Sequence, residues 1–452
     1  MKKINHLIIQ LIDFSTRTEF RTKLVRDGFG SLILRVIFIL LSFLISIVLA
    51  RILGTVGYGI YGYIFAIVSV LAIPAEFGLS TLIMRETSKN LVQGNFGLIK
   101  GIWGWSTKIV LILTAIIFSG AFLFNLFLGN HFEEIYKNTF MWGLLIIPLL
   151  ALSNLRSAAL RGLKRVVLGQ IVESVIRPGS FLFFVLFIVF ILSENLTPNL
   201  AMGLQTIAVG LSLCAGTIFL SYFQPSELRK INSEYESKKW LSSTITLAMV
   251  NGISLLNKWI NVIILGLFVS SSNIGIYNVV IQISILASSG LQAVNLVVAP
   301  QFASLFALRD HDRIQRLTTI SARVVLVINL LITIFFILFG KLFLQLVYGI
   351  EYVVGYSSML ILLIGQFFNS ATGSVAFLLN MTDNENLTIR GSLLAVVINI
   401  TFSFILSPLM GIKGAAIASA SSIAISNIIL WWLVYKHLKI NSLAFVRLSK
   451  RI

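Results

Sequence analysis

The sequence predicts an all-α integral membrane protein of about twelve transmembrane helices, set in two pseudo-symmetric six-helix lobes around a central cavity. Three observations predict it. Only 12% of the 452 residues are charged and 57% are hydrophobic, against about 25% charged in a soluble domain, so lipid must solvate much of the surface. Apolar stretches near the roughly 20 residues that cross a bilayer recur along the whole chain. The tripeptide Gly-Ile-Tyr at 59–61 returns at 275–277, both times directly before an apolar run. The spans are too long, and lack the period-two alternation, for a β-barrel.

The elements follow in order. Residues 1–30 place Ile8, Leu11, Ile12 and Ser15 at helical spacing, which predicts an amphipathic helix on the cytoplasmic surface rather than a cleaved signal. Six spans, at about 31–52, 58–80, 105–128, 139–160, 166–191 and 199–222, make an N-lobe over 31–222. A polar cytoplasmic linker at 223–240 separates it from a C-lobe over 241–436. The C-lobe spans fall at about 241–268, 274–299, 320–346, 354–380, 387–408 and 411–435, and a basic cytoplasmic tail fills 437–452. With both termini in the cytoplasm, 25 of the 35 Lys and Arg fall in tails and inner loops. Only Arg51, Lys137, Lys341 and Lys413 fall at the outer face, which fixes the orientation by the positive-inside rule. Six of the seven tryptophans lie near span ends, as interfacial tryptophans do, and Trp259 alone lies deep.

Charge and chemistry narrow the function. The net charge of +18 belongs to inner loops, and no cationic stretch is interleaved with aromatics as a nucleic-acid groove would be. Cys214 is the only cysteine and the four histidines are far apart, so no metal centre, cofactor or disulfide is expected. No paired carboxylates or nucleotide-binding loop mark a catalytic site.

Aligning Gly59 with Gly275 gives an offset of 216 residues (275 − 59), close to half the chain. Six spans per half is an even number, so the repeat is parallel, with its pseudo-axis along the membrane normal. The repeat places both glycines at equivalent tight outer turns, where glycine supplies backbone conformations other residues avoid. The stretches "LARILGTVGYGIYGYIFAIVSVLAIPAEFGLSTLIMRE" (49–86), "NIGIYNVVIQI" (273–283) and "GIKGAAIASA" (411–420) resemble the polysaccharide-transport branch of the multidrug/oligosaccharidyl-lipid/polysaccharide exporter superfamily. Its known members include Wzx-type flippases of O-antigen and capsule repeat units. The resemblance covers nearly the whole chain and implies the MATE-like fold of that superfamily. Where many relatives carry an acid in the seventh helix, this chain has Asn257-Lys258, so no coupling acid is carried over to that position.

Polar residues inside the spans form stripes. Asn251, Ser254, Lys258 and Asn261 follow 3,4,3 spacing on one face of helix 7. Asn278, Gln282, Ser289 and Gln292 repeat the pattern in helix 8, Gln366 and Asn369 stand in helix 10, and Arg35, Ser42 and Ser46 form a thinner stripe in helix 1. Amides and hydroxyls also glue membrane helices together, but a stripe of amides with a lysine favours an aqueous cavity. A lipid-facing charge at the depth of Lys258 would cost roughly 2.5–3.5 kcal/mol, so Lys258 must face protein or water, and the resemblance implies a role as counter-charge to a substrate phosphate. Glu173 and Arg177, four apart in helix 5, are expected to pair. Glu76 is either a proton-binding carboxylate or a partner for Arg85.

The resemblance implies a substrate of oligosaccharide joined to polyprenyl pyrophosphate, translocated from the inner to the outer leaflet of a bacterial plasma membrane by alternating access. Implied partners are that substrate, membrane lipids, and the polymerase and glycosyltransferases of the same pathway. The alternative within the superfamily is a multidrug or cation antiporter, which should show more buried acids. A membrane glycosyltransferase, polymerase or ligase would need catalytic groups on larger loops.

Overall fold

The computed structural model describes residues 2–128, 133–308, 310–382 and 384–445, with side chains from Gly28 onward except at 124–128 and at a few positions between 246 and 307, among them Asn251 and Ser254. The side chains of the expected surface segment as far as residue 27, and the tail beyond 445, lie outside the described residues. All regular elements among the described residues are helical. They are α1 (Lys2–Glu76), α2 (Leu79–Gln93), α3 (Phe96–Leu128), α4 (Glu134–Gly162), α5 (Val166–Ile171) and α6 (Arg177–Leu186). Then come α7 (Pro198–Phe223), α8 (Glu227–Lys230), α9 (Ser237–Leu265), α10 (Ser271–Ala307) and α11 (His311–Phe343). The last are α12 (Tyr356–Thr372), α13 (Val375–Asn380), α14 (Glu385–Met410) and α15 (Ile412–Leu438).

Ten helices among the described residues are long and apolar enough to cross a membrane. One of these is the 49-residue stretch Gly28–Glu76, more than twice the length needed. It is broken at Gly54, whose φ of 65° and ψ of −177° are not helical, so α1 holds two expected spans end to end. The expected seventh span is α9, whose apolar part is Leu255–Leu265. Large apolar side chains stay exposed along the outer faces, as Leu111, Ile112 and Ile116 do on α3 and Val324, Val327, Leu331 and Leu338 on α11. Such a surface is stable only in hydrocarbon, where every backbone group must be bonded within a helix.

The repeated glycines do not sit at turns. Gly59 lies inside the second arm of α1, five residues past the break, and Gly275 lies inside α10. A Cβ on Gly59 would overlap the Ser271 carbonyl oxygen, and one on Gly275 would overlap the Thr55 carbonyl oxygen. The two copies of Gly-Ile-Tyr therefore meet each other, backbone to backbone, where α1 crosses α10. Small residues at a crossing let membrane helices approach closely enough for dispersion to hold them. The repeat recorded a contact between the halves.

Core packing is distributed unevenly between the two ends. One large cluster draws on both halves, joining Leu49, Tyr58 and Tyr61 to Tyr277, Val280, Tyr348 and Tyr352. Two smaller clusters stay almost within one half each, around Leu79, Ile102 and Leu155, and around Phe302, Leu378 and Val434. Polar contacts seal the shared end. Arg51 donates to the carbonyls of Val347 (2.9 Å) and Leu346, and Tyr352 donates to the Ala50 carbonyl (3.0 Å). Ser46 and Tyr348 are 2.8 Å apart, Ser272 donates to Thr55 (2.9 Å), and Tyr136 bonds Ser271. The halves are thus joined firmly at the end that carries Gly54 and Ser271.

Candidate functional site: a cavity between the halves

Below that seal lies a cavity of about 420 Å³, within the range of about 300–1,000 Å³ usual for ligand pockets. The second arm of α1 runs down it, contributing Tyr61, Phe65, Ser69 and Glu76. Facing arms of α9 and α10 supply Lys258, Trp259, Asn278 and Gln282, while Asn154, Arg177, Phe181 and Gln205 come from α4, α6 and α7. Both halves build the walls.

Lys258 is exposed to this space, with its Nζ 4.6 Å from the Trp259 ring centroid. That is a cation–π distance, and among the described residues no carboxylate pairs with it. Arg177 and Arg35 both add positive field at Lys258. Arg177 lines the cavity from the opposite half. Its expected partner Glu173 instead bonds Arg161 at 3.1 Å. The cause is local: residues Val172–Ile176 form a π-turn, which changes the angular relation that an i,i+4 pair needs. Glu76 accepts from Asn154 at the far end of the cavity. Arg85, offered above as its partner, bonds Glu86 at 3.3 Å instead.

Of the stripe residues, Ser42, Ser46, Lys258, Asn278 and Gln282 line the cavity, and the others with described side chains are not among its lining. Arg35 donates to Gln292 Oε1 and lies 5.8 Å from the Phe38 ring centroid, so this pair links the halves outside the cavity. Asn261 accepts from Ser403 (2.6 Å). Gln366 donates to Ser284 (3.3 Å) and accepts from Asn369 (3.1 Å). Asn261 and Gln366 thus join helices, the other use to which membrane proteins put amides, while the Asn369 bond lies within α12. Asn251 and Ser254 lie on α9 with side chains outside the described set.

Sequence reasoning missed the aromatic wall. Tyr61 stacks on Phe65 (centroids 6.0 Å, 9°) and on Phe181 (6.3 Å, 10°), and Phe65 meets Trp259 edge-on at 5.5 Å. The signal was present in the four-residue spacing of Tyr61 and Phe65 and in the depth of Trp259. Aromatics in a bilayer span, however, look like lipid-facing residues until their neighbours are known. Asn154 was missed because it is a lone amide in its span, and Gln205 because the other amide of its span, Asn199, stands at the span's very start.

The fold is shared with solved transporters. An inward-facing multidrug resistance MATE transporter of the MOP superfamily superposes with a TM-score of 0.72 at 13% identity, over 90% of this chain and 98% of that one. The lipid II flippase MurJ, in an inward closed conformation, gives 0.71 at 13% identity, over 91% and 87%. The class that fold and cavity define is a helical membrane protein with the fold of these transporters. The family model described as polysaccharide biosynthesis protein matches residues 24–306, more than half the chain, and the chain belongs to that family. It is also 26% identical over 401 residues to the probable low-salt glycan biosynthesis flippase Agl15 of Haloferax volcanii, covering 86% of this chain and 79% of that protein.

Proposed function

We propose that this chain is a flippase for a lipid-linked oligosaccharide, carrying the glycan from the inner to the outer leaflet of a prokaryotic plasma membrane with both termini in the cytoplasm. The observation that carries the reading is the charge of the cavity. Lys258 from one half and Arg177 from the other face a space in which Glu76 is the single carboxylate among the described lining residues. An uncompensated cation in a low-dielectric site is costly unless water or an anion reaches it. A polyprenyl pyrophosphate brings about two negative charges and phosphate oxygens that accept strong hydrogen bonds from Lys and Arg. The neutral amides give the sugar a polar path, and the polyprenyl chain stays in lipid. An anion moving outward gains about 2.3 kcal/mol per charge per 100 mV of membrane potential. Support from relatives is the flippase name of the Haloferax protein and of MurJ.

Cells lacking the protein should accumulate lipid-linked oligosaccharide on the inner leaflet and lose surface glycan, while their sensitivity to cationic dyes stays unchanged. The reverse pattern, dye sensitivity with normal surface glycan, would overturn the reading. On this reading glycosyltransferases supply the substrate and a polymerase or ligase consumes it.

A further inference from the structure

The cavity is graded along its length. With 1.5 Å of rise per residue, Tyr61 stands about 10 Å from the Gly54 break along α1, and Phe65 about 16 Å. Asn278 stands about 10 Å from the start of α10, and Gln205 about 10 Å from the start of α7. These residues gather at the sealed end. Lys258, seven residues before the end of α9 and so about 10 Å in, shares that depth beside Trp259, which touches Phe65, while Arg177, one helical turn before Phe181, and Glu76 at the tip of α1 lie beyond it.

At the sealed end the polar atoms are unsatisfied. Asn278 is 91% buried (9% exposed), and its Nδ2 has no partner although it lines the cavity. Gln205 Oε1 is likewise buried, cavity-lining and unpartnered. A buried amide left unpaired costs about 1–3 kcal/mol, so this pair of one donor and one acceptor is explained by a ligand that carries both functions. Beside them lie the partly exposed rings of Phe65 and Trp259, backed by the buried rings of Tyr61 and Phe181. Flat apolar area next to a hydrogen-bond donor and acceptor matches a pyranose ring, whose axial C–H face is apolar and whose rim is hydroxyl or acetamido.

We propose that the sealed end of the cavity is a saccharide subsite, made by Phe65 and Trp259 with Asn278 and Gln205, and that the substrate enters sugar first with its phosphates held between Lys258 at the edge of the subsite and Arg177 behind it. This rests on the flippase reading above and adds an orientation and a division of labour to it.

The test uses purified full-length protein in nanodiscs and two probes. One is undecaprenyl pyrophosphate without sugar. The other is lipid-linked oligosaccharide extracted from cells that lack the protein. Phe65→Leu should weaken binding of the glycan probe about fivefold, and Asn278→Ala about tenfold, or about 1.4 kcal/mol. Both variants should bind the sugar-free probe within twofold of the original protein, which also serves as the folding control. Lys258→Gln should weaken both probes by the same factor. Equal loss of both probes in Phe65→Leu, or no loss of the glycan probe in Asn278→Ala, overturns the subsite while leaving the flippase reading intact. Absence of binding of either probe to the unmodified protein overturns the flippase reading itself. If Asn278→Ala does not fold, Gln205→Ala carries the same test with the same expected selectivity.

Discussion

Substituting Gly59 by alanine should loosen the seal between the halves. A Cβ at that position meets the Ser271 carbonyl oxygen and lies 3.0 Å from Gly275 N, all of it backbone. Ordinary C···O contact is about 3.3–3.6 Å, so α1 and α10 must part by about 1 Å or more. Overpacking of a well-packed site costs about 1–3 kcal/mol, and a helix backbone has no rotamer with which to yield, which favours the upper end. Because the crossing joins the two halves at one end, that cost falls on the sealed state and shifts the equilibrium away from it. Three kcal/mol corresponds to about 150-fold. The assay is labelling of Ser42→Cys, a cavity-lining position, by an impermeant maleimide applied from the sealed side, in a background where Cys214, the only cysteine, is replaced by alanine. Gly59→Ala and Gly275→Ala should each raise labelling at least tenfold. Gly104→Ala on α3, whose Cβ would meet nothing within 4 Å, should leave it unchanged. Unchanged labelling in a folded Gly59→Ala protein would refute the crossing as the seal.

Other substitutions probe the remaining parts. Lys258→Gln should fold normally and lose most glycan export per molecule in the membrane, while Lys258→Arg keeps part of it despite its different donor geometry; wild-type export by Lys258→Gln would make the lysine structural. Arg51→Gln removes two exposed bonds to the 346–347 carbonyls, each worth about 0.5 kcal/mol, and should raise labelling of Ser42→Cys about fivefold from the sealed side. Gly101→Val should displace the inter-lobe linker from α3, because its Cβ would overlap the Glu234 carbonyl; protease nicking within 223–236 should become several-fold faster, and an unchanged rate would count against docking. A reporter active only outside the cytoplasm, fused after Ile452, should stay silent if both termini are cytoplasmic.

The spans were legible because hydrophobic length is a one-dimensional property, and the repeat because glycine at a helix crossing leaves a mark in sequence. What the mark meant was not legible. Gly-Ile-Tyr before an apolar run reads as a turn, and only the meeting of Gly59 with Gly275 shows that the two copies touch. The polar stripes divided for a similar reason. Asn278 and Asn261 sit on consecutive helices and look alike in sequence, yet one faces the cavity and the other accepts from Ser403. Helical spacing gives a face, not what the face touches. The misjudged Glu173 partner came from a π-turn, which composition does not announce.

The offset of 216 residues also shows which part of the repeat diverged. Lys258 corresponds to Ser42, Glu76 to Gln292 and Arg35 to Asn251, so each of these charges stands in one copy only. The glycines that make the crossing stand in both. Packing at the crossing depends on both helices being narrow, and a change in either copy would break the contact. A cavity wall has no such reciprocity, because each copy contributes a different patch to one asymmetric space. On the flippase reading this asymmetry has a mechanical consequence. Arg177 belongs to the first half and Lys258 to the second, and like charges across an empty cavity push the halves apart at that depth. A pyrophosphate between them reverses the sign of the interaction and draws the halves together. Binding then favours closure behind the substrate, and release of the anion restores the repulsion that reopens the site. Moving both cations to one half, by Arg177→Leu with Leu255→Arg at a cavity-lining position of α9, would keep the net charge while removing this coupling. Binding of undecaprenyl pyrophosphate should then survive while transport falls, and transport at the original rate would show that charge count alone suffices.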